Sequence, residues 1–281
     1  MSVVAVLPYG TPTPGGLGAV SLDALDWQTP RPDRLALGTV GDMRAEDHLI
    51  VYPRTPYWFR PMPRARVTLM IVEPRSIHAK HLRLARLLGW RFHRILTRDP
   101  ATLRAVRNAR FLPYADTWIE DAGVDTTKTR MTSLIASAKR DQEGHLLRHA
   151  VVDALPPGAD VDIMGRGYRP FDRKEEGLAP YRYSVVIENT REAGYLSEKI
   201  IDALICRTIP IYWGAPDVGD YFDPAGIIVC ASQADILAAI DAASVADYDA
   251  RAAAAETNRD TALKLADLHG RAARIIQEED T

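Results

Sequence analysis

The residues with most chemical potential lie between Tyr181 and Cys230, in the run YRYSVVIENTREAGYLSEKIIDALICRTIPIYWGAPDVGDYFDPAGIIVC. Tyr183 to Ile187 reads as a buried strand that ends at Glu188-Asn189. Polar side chains then stand beyond the carboxyl end of a strand, where open α/β sheets bind ligands. Ser197 reads as a helix cap, and Glu198-Lys199 opens a helix whose apolar stripe is Ile200, Ile201, Leu204 and Ile205. A helix start offers unpaired amides and the positive end of a dipole, both suited to a diphosphate. Lys199 adds a full charge there, and Glu198 can accept hydrogen bonds from sugar or ribose hydroxyls. Ser-Glu-Lys on its own is equally the start of an ordinary exposed helix. The flanking order favours a nucleotide-sugar pocket, because Trp213-Gly214-Ala215-Pro216 makes another turn at the same sheet edge after the next strand. Tyr221-Phe222 fits either a core or a ligand wall.

These residues need a scaffold, and the chain around them alternates short β-branched runs with helical patterns, the mark of parallel sheets with crossover helices. The expected strands are 2–7, 48–52, 67–73, 94–97, 160–164, 183–187, 208–213 and 226–230. A helix over 78–88 carries Leu82, Leu84, Leu87 and Leu88 as its stripe, completing one strand-helix-strand unit. In 144–155 the residues Leu146, Leu147, Val151, Val152 and Leu155 form the apolar face, and Arg148 and His149 fall off it, leaving Arg148 to face a ligand. The polar run 118–130 reads as a linker, giving domains at 1–125 and 126–281, and the Ala-rich tail from Ser232 predicts terminal helices.

A length of 281 residues accommodates two ordinary domains, and 47% apolar with 26% charged residues is ordinary globular usage. With 35 basic against 37 acidic side chains, no global field draws the chain to nucleic acid. Any phosphate site must be local. Cys206 and Cys230 sit in apolar runs and read as buried small side chains of a reducing compartment. The run from Met1 to Pro8 reads as a first strand in place of a signal peptide, and no window is long and apolar enough for a membrane span.

The block Tyr181 to Asn189, Gly194-Tyr-Leu-Ser-Glu-Lys-Ile-Ile-Asp-Ala203, Ile209 to Gly214 and Phe222-Asp-Pro224 resembles the signature of the α-1,3/1,4-fucosyltransferases, glycosyltransferase family 10. Upstream, Val161-Asp-Ile-Met-Gly-Arg-Gly167 with Lys174, and the segments Arg94 to Asp99 and Asn108 to Pro113, extend the resemblance over about 67–230. It implies a GT-B architecture, two Rossmann-like domains facing across a cleft, with GDP-fucose held mainly by the second. It further implies inverting transfer of fucose to a hydroxyl of a glycan acceptor, an oligosaccharide or glycolipid of the lipopolysaccharide kind. Matched by position, Asn189, Tyr195, Glu198 and Lys199 are donor-binding, and Arg148, through Leu147 to Leu155, joins Lys199 near the diphosphate. Two cations make physical sense, since GDP leaves as an anion whose growing charge must be neutralised. No cofactor is required, no nucleic acid or transmembrane segment is expected, and the location implied is cytoplasmic or peripheral at the inner face of a membrane.

Inverting transfer needs a general base on the acceptor side, expected from the first domain. Glu73, at a strand end before Pro74, is the candidate, against a structural role pairing with Arg75; Asp116 is held in reserve. Asp160-Val-Asp162 has the DxD form of metal-dependent glycosyltransferases, but it falls at a strand start, so a divalent metal there is not expected. Gly165-Arg-Gly167 lacks the third glycine of a dinucleotide fingerprint. Two other readings stay open: the same pocket with a different GDP-hexose, and a noncatalytic nucleotide- or glycan-binding protein.

Overall fold

Consecutive apolar residues in runs such as VAVL and the Val185-Val186-Ile187 of YRYSVVI have no polar alternate position, so both faces of the strands they form must be covered. The computed structural model, which describes residues 2–120 and 123–279, shows this in two α/β units. One comprises Met1–Pro113 with Leu268–Thr281, the other Tyr114–Asp267. The chain therefore divides at 113/114 and returns at 267/268, where the sequence suggested a single division at 125/126. The polar run 118–130 misled because its polarity is satisfied internally. Trp118 N and Thr117 Oγ1 donate to Asp202 Oδ1 at 3.0 and 2.6 Å, and Lys128 Nζ donates to the carbonyls of Ala179 and Cys206 and to Thr208 Oγ1 at 2.7–3.0 Å. Asp121 and Ala122, within that run, lie outside the described residues.

In the first unit β1 (Val4–Leu7), β2 (Asp26–Trp27), β3 (His48–Val51), β4 (Arg66–Ile71), β5 (Ile95–Thr97) and β6 (Ala109–Phe111) form one sheet in the order β2-β1-β3-β4-β5-β6. All neighbours run parallel except β2, which pairs antiparallel with β1. Parallel strands place their carboxyl ends on one edge, so Tyr52 after β3, Glu73 after β4 and Arg98 after β5 share that edge. Helix α1 (Arg75–Leu88) starts directly after Pro74 and buries His78, Leu82 and Ala85. Leu87, expected on the apolar face, is instead 72% exposed, because burial follows the i, i+4, i+7 line that faces the sheet. Asp99 caps α2 (Pro100–Ala105), accepting from Thr102 N at 2.8 Å, and also holds the Arg75 guanidinium.

In the second unit β7 (Arg130–Ile135), β8 (Val161–Met164), β9 (Tyr181–Ile187), β10 (Ile209–Trp213) and β11 (Ile228–Val229) are all parallel, in the order β11-β10-β9-β7-β8. The chain moves outward from β7 to β8, then returns to build β9, β10 and β11 on the other side of β7. The switch point is thus between β7 and β9, where α/β sheets of this type open a binding crevice. Helix α3 (Glu143–Asp153) follows β7 and α4 (Glu198–Ile205) follows β9. Side chains of β9 alternate between two cores: Tyr183, Val185 and Ile187 pack with Leu134 and Val151, while Val186 packs with Ile200, Ile201 and Leu204 of α4. Phe222 belongs to the α4-side core, with Tyr221 partly buried against it. Helices α5 (Gln233–Ala242), α6 (Val245–Ala250) and α7 (Ala252–Ala266) complete the unit. Helix α8 (Leu268–Glu279) belongs to the first unit: His269 Nδ1 meets Asp26 Oδ2 at 2.6 Å and its Nε2 meets the Tyr52 hydroxyl at 3.1 Å. Cys206 and Cys230 are buried free thiols.

Candidate active site

Strand β9 ends at Ile187, and the next residue, Glu188, is fully buried. Its carboxylate accepts from Ser197 N at 2.9 Å and from the Ser197 hydroxyl, which in turn accepts from Lys199 N as the cap of α4. Glu188 therefore ties the strand end to the helix start. Lys199 Nζ reaches Glu198 Oε1 at 2.8 Å, Ser197 Oγ at 3.0 Å and Glu188 Oε2 at 3.7 Å. Its side chain is 22% exposed.

Arg148 arrives from the other side of the switch point, on α3. It is buried, and its guanidinium donates to the Ile187 carbonyl and to Asn189 Oδ1 at 3.2 Å. The expectation that Arg148 projects freely was wrong about its surroundings. Gly144, His145, Arg148 and His149 are all buried on α3, whereas Leu146 is exposed and Leu155 lies past the helix end. The cause is Gly144. A Cβ there would stand 1.7 Å from the Glu188 carbonyl oxygen, so only glycine lets α3 begin on the end of β9, with Gly144 N donating to Asn189 O at 3.0 Å. Gly144→Ala must push these backbones apart. We expect a loss of about 1–3 kcal/mol in chemical denaturation. Unchanged stability would mean that this close approach does not hold in solution.

Two carboxylates and two cations thus occupy one small region, and their protonation is coupled. Burial opposes the charge on Glu198, but Lys199 and then Lys174 bring its carboxyl down to about 2. Burial pushes the Glu188 carboxyl up, against the pull of Lys199. Burial likewise disfavours the Lys199 ammonium, yet Glu198 and Glu188 hold it above its usual value, with Arg148 opposing them. Arg148 is drawn below the usual guanidinium value by burial, with Glu188, Glu198 and Tyr195 resisting. Glu188 and Glu198 thus act on both cations, and Arg148 acts on Lys199. Glu198 has a depressed folded-state pKa, so its stabilisation is full above the unfolded value of about 4.3 and disappears as pH falls toward 2. In acid titration followed by circular dichroism, wild type should lose about 2–3 kcal/mol over that window relative to Glu198→Gln. Parallel acid limbs for the two proteins would contradict the pairing.

The remaining site residues fall in different places. Asn189 is at the β9 end, as expected. Tyr195 is buried and its ring stacks on Tyr114 with centroids 5.8 Å apart. Gly194 N donates to both oxygens of Asp217, tethering the loop before α4 to the one after β10. Glu73 lies two residues beyond β4 and is half-buried, in the first unit. Asp116, held in reserve as a first-domain base, belongs to the second unit. Asp162 accepts from Tyr181 Oη at 2.7 Å and pairs with Arg130, so its carboxylate is engaged within β8 and its neighbours. Among the described residues no cluster of three or more His, Cys, Asp or Glu could hold a metal. Sequence reading passed over Glu188 as a site residue, and over the Lys174–Asp202 ion pair, 2.7 Å, with Lys174 4.6 Å above the Trp118 ring. Glu188 was findable from its place directly after a buried strand; nothing local marked the second pair.

No family model matches the chain. A stretch of 87 residues is 47% identical to the alpha-(1,3)-fucosyltransferase FucT of Helicobacter pylori, covering 29% of this chain and 18% of that protein. Another of 58 residues is 34% identical to an alpha-(1,4)-fucosyltransferase of Arabidopsis thaliana, covering 21% and 14%. The chain resembles the α-1,3/1,4-fucosyltransferases. The matched stretches span far less than two thirds of those relatives' own lengths. A crystal structure of an alpha1,3-fucosyltransferase with GDP superposes with a TM-score of 0.50 at 21% identity, over 72% of this chain and 68% of that one. A structure of S. aureus TarM with UDP gives 0.51 at 11% identity, over 80% and 56%. At such identities the likeness concerns fold, which is that of GT-B glycosyltransferases: two parallel-sheet α/β domains.

Proposed function

We propose that the chain is a glycosyltransferase that moves fucose from GDP-fucose to a hydroxyl of a glycan acceptor, with inversion at the sugar carbon. The observation that carries this reading is the convergence of Lys199, Arg148 and the start of α4 at the switch point of the second sheet, in a chain that resembles the fucosyltransferases. Donor cleavage breaks the bond between the anomeric carbon and the β-phosphate oxygen. Negative charge grows on GDP, and Lys199, Arg148 and the first-turn amides of α4 offset it. Glu198 and Asn189 orient sugar or ribose hydroxyls, and Tyr195 walls the site. The acceptor hydroxyl attacks from the opposite face and gives its proton to a carboxylate, for which Glu73 is the proposed base.

The test is a thermal-shift and transfer panel with GDP, GDP-fucose and GDP-mannose, since a ligand raises the melting temperature according to its affinity. The reading expects GDP and GDP-fucose to stabilise, and fucose to appear on a glycan acceptor. Transfer from GDP-mannose in place of GDP-fucose would reassign the donor. Tight GDP binding without transfer or hydrolysis from any GDP-sugar would instead identify a noncatalytic binding protein.

A further inference from the structure

Residues 54–110 contain fourteen Lys or Arg and only two Asp or Glu, in a chain whose totals are 35 and 37. The basic excess is therefore concentrated in α1, α2 and the segments beside them, while the rest of the chain is acidic. Of the two acids, Asp99 is buried and engaged by Arg75. Helix α1 presents this charge in an ordered way. Opposite its buried line of His78, Leu82 and Ala85, the positions 80, 83 and 87 form one exposed stripe that continues to residue 90. That stripe reads Lys80, Arg83, Leu87, Trp90. Leu87 is 72% and Trp90 75% exposed. Arg91 lies 5.9 Å from the Trp90 ring and donates to the Arg60 carbonyl at 2.8 Å, next to Phe59, which is 65% exposed.

We propose that this face of the first unit docks on an anionic lipid bilayer. Large apolar side chains standing out of a dense cationic surface match an interfacial helix, whose cations meet lipid phosphates while Trp and Leu enter the headgroup and acyl boundary. Trp is the side chain most suited to that boundary. A nucleic acid would use the cations but leave Leu87 without an apolar partner. No helix among the described residues is long and apolar enough to cross a membrane. The inference is independent of the donor site, which lies in the second unit.

Cosedimentation of the full chain with phosphatidylcholine vesicles, with and without phosphatidylglycerol, tests it. The chain should bind the anionic vesicles, weakly or not at all the neutral ones, and less as salt rises. Lys80→Gln with Arg83→Gln should weaken binding about twenty-fivefold, from about fivefold per charge. Leu87→Ser with Trp90→Ser should weaken it too, and both variants should keep wild-type melting and GDP affinity. Absence of vesicle binding, equal binding to both vesicle types, or wild-type affinity in either variant would overturn the proposal. Capture by duplex DNA that survives Leu87→Ser with Trp90→Ser, together with loss of vesicle binding, would assign the face to nucleic acid instead.

Discussion

Glu73→Gln should lower turnover by about a hundredfold or more while leaving GDP affinity close to wild type, because the amide keeps the shape of the side chain but cannot take a proton. The position supports this expectation. Glu73 follows β4 on the carboxyl edge of the first sheet. A base that acts only on the acceptor hydroxyl contributes to the chemical step and not to holding the nucleotide, so kcat should fall without a matching change in donor affinity. Steady-state kinetics with GDP-fucose, beside a GDP titration, separates the two. Normal turnover in Glu73→Gln would remove the assignment.

Lys199→Ala should weaken donor binding and rate together. A charge-assisted hydrogen bond to a phosphate is worth about 1.5–3 kcal/mol, equivalent to about tenfold to a hundredfold in GDP affinity. Lys199 also neutralises Glu198 and Glu188, so its removal leaves two buried carboxylates facing each other, and stability falls as well. Lys199→Gln is the gentler variant, retaining a donor to Ser197 or Glu198 while losing the charge. If both variants bind GDP as wild type does, the diphosphate role of Lys199 fails.

Much of the second unit was legible before any coordinates, and the reason is local. The run YRYSVVIEN carries its strand, strand end and polar pair consecutively, and SEKIIDALI carries cap, charge and apolar stripe within nine residues. Strand β7 was missed because Arg130-Met-Thr-Ser-Leu-Ile alternates weakly, with Thr132 and Ser133 buried through contacts across the sheet; Ser133 Oγ donates to the Gly177 carbonyl at 2.7 Å. The helical face of α3 was misread for a related reason. A glycine close approach and a guanidinium satisfied by a strand-end carbonyl make buried positions out of polar residues, and periodicity scores only hydrophobicity. The return of α8 to the first unit rests on His269 meeting Asp26 and Tyr52, more than two hundred residues away in sequence.

The most direct measurement is calorimetric titration of wild type and Lys199→Gln with GDP and with GMP. If the start of α4 with Lys199 and Arg148 grips a diphosphate, wild type binds GDP at least about tenfold more tightly than GMP. Lys199→Gln then loses most of that preference while its affinity for GMP stays near wild type. Equal affinity of wild type for the two nucleotides, or an undiminished GDP preference in the variant, would contradict the account.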